Sequence, residues 1–123
     1  MVQAVGSVVN LEHHAFGNSY FEVAACQGKG YPAVRHCWSK HCVGAETPDK
    51  DCFSGTPIAQ HGKEEYEVDR MQACAASLTK AELWSKRYWP FVVCTEASYL
   101  EGVGAAEGCA NKTGLDVAAL SAY

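Results

Sequence analysis

Apolar and polar positions follow three regimes along this chain. Val5, Val8, Val9 and Leu11 stand among polar neighbours near the N-terminus. The β-branched run at 8–12 predicts a strand, and Phe16-Gly17-Asn18 is a turn signal closing it. Between 26 and 62 the pattern lapses into four cysteines, three prolines, several glycines and few aliphatics. Such a segment buries too little apolar surface to offset its own ordering entropy, so cross-links would have to supply the missing constraint. From Glu64 onward the spacing is helical. Val68, Met71, Cys74, Ala75 and Leu78 recur every three or four residues, which places them on one helix face. Thr79-Lys80-Ala81-Glu82 has the pattern of a capping box and predicts a further helix that buries Leu83 and Trp84. Proline is tolerated in a first helical turn, so Trp89-Pro90 predicts a fresh helix from Tyr88 or Trp89 to Leu100. Its inner face would hold Phe91, Val92, Cys94 and Ala97 or Ser98. Gly102 and Gly104 punctuate, a short helix over 105–112 closes at Gly114, and Asp116 caps a last turn through Leu120.

These elements describe a mainly α (α+β) domain in three parts. A strand and turn occupy 1–25, a Cys-rich loop insert 26–62 and a helical part 63–123. One strand does not make a stable sheet, so its partners are expected outside this segment or on another chain.

Composition narrows the possibilities. The 123 residues are 48% hydrophobic, enough for one domain with one core. A net charge of −4 offers no basic face for nucleic acid. No apolar run approaches a membrane span, and the run 90–94 reads as core, although association with a membrane-bound complex stays open. Seven cysteines favour an oxidising compartment: a secretory or lysosome-like lumen, another organelle lumen such as the thylakoid, or the extracellular space. Asn111-Lys112-Thr113 is an N-glycosylation acceptor, which agrees with a secretory route.

The candidate chemistry is mostly that of sulfur. Cys26, Cys37, Cys42, Cys52, Cys74, Cys94 and Cys109 are all candidate half-cystines, and the odd count leaves one free or paired elsewhere. The four in the insert are expected to pair locally, with connectivity open. Of Cys74, Cys94 and Cys109, two are expected to bond and the third to be buried or paired outside. A thiol reductase needs an accessible thiolate with a resolving cysteine nearby, yet the chain holds no Cys-x-x-Cys. Cys37 and Cys42 lie five apart, with His36, Lys40 and His41 able to lower a thiol pKa; a plain structural disulfide is the simpler reading. His36, Cys37, His41 and Cys42 are also zinc-ligand types. The other cysteines are spaced too widely to complete such a site, and neither a metal nor a cofactor is expected. His13-His14 could ligate a metal or pigment, but a pair at a strand end reads more simply as solvated. Trp84, Tyr88 and Trp89, beside Lys86 and Arg87, are either core or a protein interface. The acidic residues form no acid–base pair, so no catalytic residue is assigned.

The run from Ala59 to Cys74 resembles the signature of the gamma-interferon-inducible lysosomal thiol reductase (GILT) family, C-Q-H-G-x-x-E-C-x-x-N-x-x-x-x-C. Gln60, His61, Gly62, Glu65 and Cys74 match; Ala59 and Tyr66 stand where the family has Cys, and Asp69 where it has Asn. Three weaker segments follow in order. Val8-Val9-Asn10-Leu11 with Phe16-Gly17-Asn18 looks like a strand leading to the family's P-Y-G-N turn. The run 89–96 looks like its later helix with Cys and an acidic residue, and 106–110 with Cys109 like another cysteine segment. The likeness spans most of the chain outside 26–58.

The resemblance implies a thioredoxin-like fold whose redox Cys-x-x-Cys lies upstream of the strand matched at 8–11. This chain would then be the middle of such a domain, one strand plus its helical insertion. Concerted absence of Cys at Ala59 and Tyr66 is expected if those positions normally bond each other, and the four insert cysteines would replace that staple. The resulting expectation is a non-catalytic structural or interaction subunit with a protein partner, such as an accessory subunit of a larger assembly in an organelle lumen. The alternatives are a thiol–disulfide oxidoreductase whose active half lies elsewhere, and a secreted disulfide-rich binding module.

Overall fold

A computed structural model describes residues 8–15, 19–30, 32–98 and 101–122. The chain is mainly helical with one small sheet, and it divides into two compact units. One comprises Gly17–Tyr66. The other comprises Met1–Phe16 with Glu67–Tyr123.

The first unit is more ordered than a loop insert. Strands β1 (Tyr20–Phe21) and β2 (Pro57–Ile58) pair antiparallel, with Tyr20 opposite Ile58 and Phe21 opposite Pro57. Proline is tolerated there because β2 is an edge strand. A 3-10 turn (Ala24–Cys26) follows, its first amide donating to the Asp51 carboxylate at 2.8 Å. Helix α1 (Ala33–Trp38) starts after Pro32 and runs on into a π-helical turn (Ser39–Val43). Residues five apart on a helical backbone point to different sides, so Cys37 and Cys42 bond not to each other but to separate partners. The disulfides are Cys26–Cys37 and Cys42–Cys52. The core here is Val23, Cys26, Val34, Cys42 and Cys52, with Cys37, Trp38 and Ile58 packed against it. Trp38 Nε1 donates to the Cys52 carbonyl at 3.2 Å, and its ring meets Tyr20 and Phe53.

Helix α2 (Lys63–Leu78) carries Glu64 and Glu65 in its first turn, where carboxylates favour the positive helix end. Past the unit boundary it buries Val68, Met71, Cys74 and Ala75, as the spacing predicts. Leu78 was expected on that face but is 46% exposed, and Gln72 takes the inward place instead. Its buried amide donates to Thr95 Oγ1 and Glu96 Oε1, each at 2.8 Å, which ties α2 to α3 (Tyr88–Ala97). Phe91 and Val92 are buried on α3 as expected. Ala97, a candidate for that face, is exposed; Thr95 is buried, its hydroxyl within 2.9 Å of the Val92 carbonyl. The end expected at Leu100 lies outside the described residues.

Three other expectations need correction. Residues 8–12 are not a strand: Val8 lies in a turn and 9–12 take no regular structure, and among the described residues no strand lies beside them. The segment docks by side chains instead: Leu11 packs on the helical core and Trp84 Nε1 donates to the Val9 carbonyl at 2.8 Å. The turn expected at 16–18 lies outside the described residues. The capping-box pattern at Thr79 starts no helix, since its hydroxyl donates back to the Ala75 carbonyl at 2.7 Å and closes α2. Residues 79–87 are turns, with Leu83 exposed and Trp84 half-buried. Finally, Gly102 and Gly104 lie within α4 (Gly102–Thr113) and do not break it.

Helix α4 ends at Gly114, whose φ of 71° is the left-handed conformation glycine adopts without strain. The Leu115 amide reaches back to the Ala110 carbonyl, and the Leu115 side chain is buried. The Asp116 carboxylate then accepts from the amides of Ala118 and Ala119, capping α5 (Val117–Ser121) as expected. The disulfide Cys94–Cys109 joins α3 to α4, and Arg87 links the Glu82 carboxylate to the Gly114 carbonyl. That hydrogen bond holds Glu82 below the usual carboxylate range. Among the described residues no helix is long and apolar enough to cross a membrane.

Closing a 15-residue loop is worth about 3 kcal/mol. Replacing Cys94 and Cys109 together by alanine is therefore expected to lower the unfolding free energy by about that amount, read from urea melts followed by far-UV circular dichroism. A change below about 1 kcal/mol would mean that helix packing alone sets the stability.

Candidate functional site

Each unit presents one candidate surface. In the helical unit, residues 8–13 form one wall of an open groove of about 620 Å³. Ala76, Thr79, Lys80, Leu83, Trp84 and Tyr88 contribute the opposite wall. The three aromatics expected as core or interface do most of their packing inward. Tyr88 is buried, Trp84 and Trp89 are half-buried, and the two indoles meet edge to face at 6.0 Å. Burial pushes the Tyr88 phenol above its ordinary pKa, and its hydroxyl lies 2.6 Å from His13 Nδ1. His14 is exposed and its Nε2 lies 3.3 Å from Glu12, so the two histidines have different partners. The exposed residues around the groove are mixed: Val8, Val9 and Leu83 are aliphatic, and Asn10, Glu12 and Lys80 are polar.

In the smaller unit, Ala25, Lys29, Ala33, His36, Cys37, Lys40 and His41 line a cleft of about 460 Å³ beside the Cys26–Cys37 disulfide. His41 Nδ1 lies 3.4 Å from an Asp49 carboxylate oxygen. A ring nitrogen of His41 and the sulfurs of Cys26 and Cys37 all lie within 4.8 Å of one another. The spacing of His36, Cys37, His41 and Cys42 suggested a different set; Cys42 is committed to Cys52, and Cys26 takes its place through the fold.

The residues of the matched motif divide between the units. Gly62 precedes α2 with φ of 92°, a conformation that a side chain would strain. Glu65 reaches back from the first turn: one carboxylate oxygen accepts the His61 amide at 2.7 Å and the other lies 3.2 Å from His61 Nδ1. This is a helix cap built from the motif's own residues, of the kind in which an early Glu returns to an orphan amide. Gln60 is half-buried in the preceding turn, and Ala59 is buried. Cys74, nine residues beyond Glu65, belongs to the helical core with 0% exposure. It is the free cysteine, its thiol donating weakly to the Ala119 carbonyl at 3.6 Å, and burial pushes its pKa up despite the opposing field of Arg70.

No protein family, curated protein or solved structure matches this chain. The functional reading therefore rests on the geometry above. Asn111 is exposed on the last turns of α4, and the Thr113 hydroxyl of the same triplet bonds the Cys109 carbonyl at 2.9 Å. Sequence reasoning missed two positions. Gln72 stands four residues after Val68, in the inward register, and only its polarity argued against it. Asp49 gave no signal, because its partner His41 is brought to it by the cross-linked turn.

Two outcomes follow. Ala in place of Glu65 removes the acceptor for the His61 amide, and a lost cap costs about 1 kcal/mol; thermal unfolding of the variant is expected to show that loss. Cys74 is expected to ignore Ellman's reagent in the native protein at pH 8 and to titrate as one thiol in guanidinium. Because its folded pKa lies above the unfolded value, the stability it contributes is complete below the unfolded pKa. It falls away as pH rises through the folded one, so the urea midpoint is expected to decline on the alkaline side of pH 9 and to do so less in Cys74→Ala.

Proposed function

We propose that this chain is a non-catalytic, disulfide-stapled interaction subunit of an oxidising compartment, related to the GILT family through the helical part of a thioredoxin-like domain. The observation that carries the reading is the state of the sulfur. Six cysteines are engaged in three pairs, and the seventh is sealed in a core that disfavours its thiolate. Thiol–disulfide chemistry needs an accessible thiolate, and none of these cysteines offers one. The motif residues support the same reading, because His61, Gly62 and Glu65 spend their polar groups and their backbone on starting α2.

Three disulfides fit an oxidising or extracellular setting. Within that range the reading favours an organelle lumen, secretory, lysosome-like or thylakoid, and leaves room for a membrane-associated complex. A protein partner is inferred from the exposed aliphatic side chains of Val8, Val9 and Leu83, which stand at the groove among polar Asn10, Glu12 and Lys80, since interfaces combine apolar contacts with a polar rim.

One observation favours an oxidoreductase instead. Cys37 is half-buried in a cleft with two lysines and two histidines, groups that stabilise a departing thiolate. An insulin-reduction assay separates the readings. With dithiothreitol as electron source, the disulfide-intact chain is expected to leave the rate of insulin precipitation at its uncatalysed value. Acceleration that scales with protein concentration and vanishes in Cys37→Ser would establish the oxidoreductase and dismiss the non-catalytic proposal.

A further inference from the structure

We propose that opening the Cys26–Cys37 disulfide turns the cleft beside it into a zinc site, with Cys26, Cys37 and His41 as protein ligands. The two sulfurs and a His41 ring nitrogen already lie within 4.8 Å of one another. Around one tetrahedral Zn²⁺, with Zn–S near 2.3 Å and Zn–N near 2.0–2.1 Å, ligand atoms stand about 3.5–3.8 Å apart. Reaching that spacing asks the two sulfurs to part from their bonded 2.05 Å, and the metal would then take over the linkage that the disulfide supplied.

The surroundings suit such a centre. Asp49 engages His41 Nδ1 at 3.4 Å and leaves the Nε2 lone pair for a metal. A carboxylate behind a histidine ligand both orients the ring and raises its basicity. The cleft gives the ion an entry path past half-buried Cys37, and His36 lines the same cleft, where it or water can complete the fourth position. Lys29 and Lys40 also line it and would oppose a bare dication, but two thiolates cancel the ion's charge. Among the described residues no other group of His, Cys and carboxylate meets this spacing.

The chemistry balances with a dithiol as reductant. The dithiol gives two electrons and two protons to the protein disulfide and closes to its own cyclic disulfide, leaving two protein thiols. Zn²⁺ then displaces both thiol protons to solvent, and Cys26 and Cys37 bind as thiolates. In an oxidising lumen the pair is a staple; on meeting a dithiol it becomes a ligand pair. This inference stands apart from the interaction proposal, because it concerns the opened form alone.

The test opens the chain with a dithiol, removes the reductant by gel filtration without air, and titrates Co²⁺ alone. One Co²⁺ per opened chain is expected, with thiolate-to-cobalt charge transfer in the near ultraviolet and intense visible bands of tetrahedral geometry, both displaced by Zn²⁺. The disulfide-intact chain is expected to give neither. His41→Ala, at a half-exposed position, is expected to keep the circular dichroism of the parent, shift the visible bands and weaken binding by at least about tenfold. Asp49→Asn is expected to weaken it less. No uptake on opening, equal uptake by the intact chain, undiminished uptake in Cys26→Ser/Cys37→Ser, or an unaltered spectrum in His41→Ala would each overturn the proposal. So would a loss of helicity on opening that Zn²⁺ fails to restore.

Discussion

The smaller unit depends on covalent closure. Three of the five residues in its buried core are half-cystines. The rest of its regular structure is two two-residue strands, a 3-10 turn and one short helix with a π turn. Elements this brief cannot persist alone, since a two-stranded ribbon is marginal in water and an isolated helix of two turns more so. What the disulfides do is act on the unfolded chain. Loops of 10 and 11 residues are closed in advance, so the entropy of bringing 26 to 37 and 42 to 52 is not lost again on folding. The sulfur atoms also fill the space that larger aliphatics would otherwise have to fill. Trp38 spans the result, its Nε1 donating to the Cys52 carbonyl and its ring meeting Tyr20 at a tilt and Phe53 edge to face, which explains why a segment so poor in aliphatics still has an interior.

The helical unit rests on burial, and its one disulfide is an addition. Phe91, Ala75, Cys74 and Ala110 are fully enclosed, and the polar groups among them are answered: Gln72 by Thr95 and Glu96, the Thr95 hydroxyl also by backbone carbonyls. A buried amide left without partners would cost more than it contributes, so these bonds fix how α2 and α3 meet as firmly as the apolar contacts do. Arg87 plays a similar part at the surface, where its guanidinium ties the turn before α3 to the end of α4.

Much of this was legible in the chain's pattern, and the limits have physical causes. Helix α2, the proline-started α3, the Gly114 stop and the Asp116 cap follow from local chemistry, and local chemistry decides them. The strand expected at 8–12 depended on a partner, and β-propensity cannot say whether one exists; without it, Val9 gives its carbonyl to Trp84. Thr79 is a case of two valid local options. A threonine hydroxyl can accept from the first amides of the helix that follows or donate back to the helix it ends, and here it donates to the Ala75 carbonyl. Cystine pairing was open because it follows from the path of the chain, which the π turn at Ser39–Val43 alters by a fraction of a turn. The trio Cys26, Cys37 and His41 was hidden for that reason, as its members come from two sides of a loop.

The resemblance at 59–74 and the proposed non-catalytic role are compatible because the resembling positions have folding work to do. Gly62 occupies a conformation that favours glycine, Glu65 answers an otherwise orphaned amide at the start of α2, and Cys74 fills a dry site beside α5 as a small apolar side chain. Each requirement would hold in a chain that had never moved an electron. The departures point the same way. At Ala59 a buried methyl group, and at Tyr66 a half-buried ring, stand where a bonded pair of sulfurs would be expected. In the preceding segment two disulfides and a short helix hold the residues that lead into Gly62. On the proposed reading, a retained cap with Ala59 and Tyr66 in place of a bonded pair is what selection for shape would leave. Cys37, the half-buried sulfur of the cleft, lies outside these positions on α1, so any reactivity it has arises from Lys29, His36, Lys40 and His41 around it.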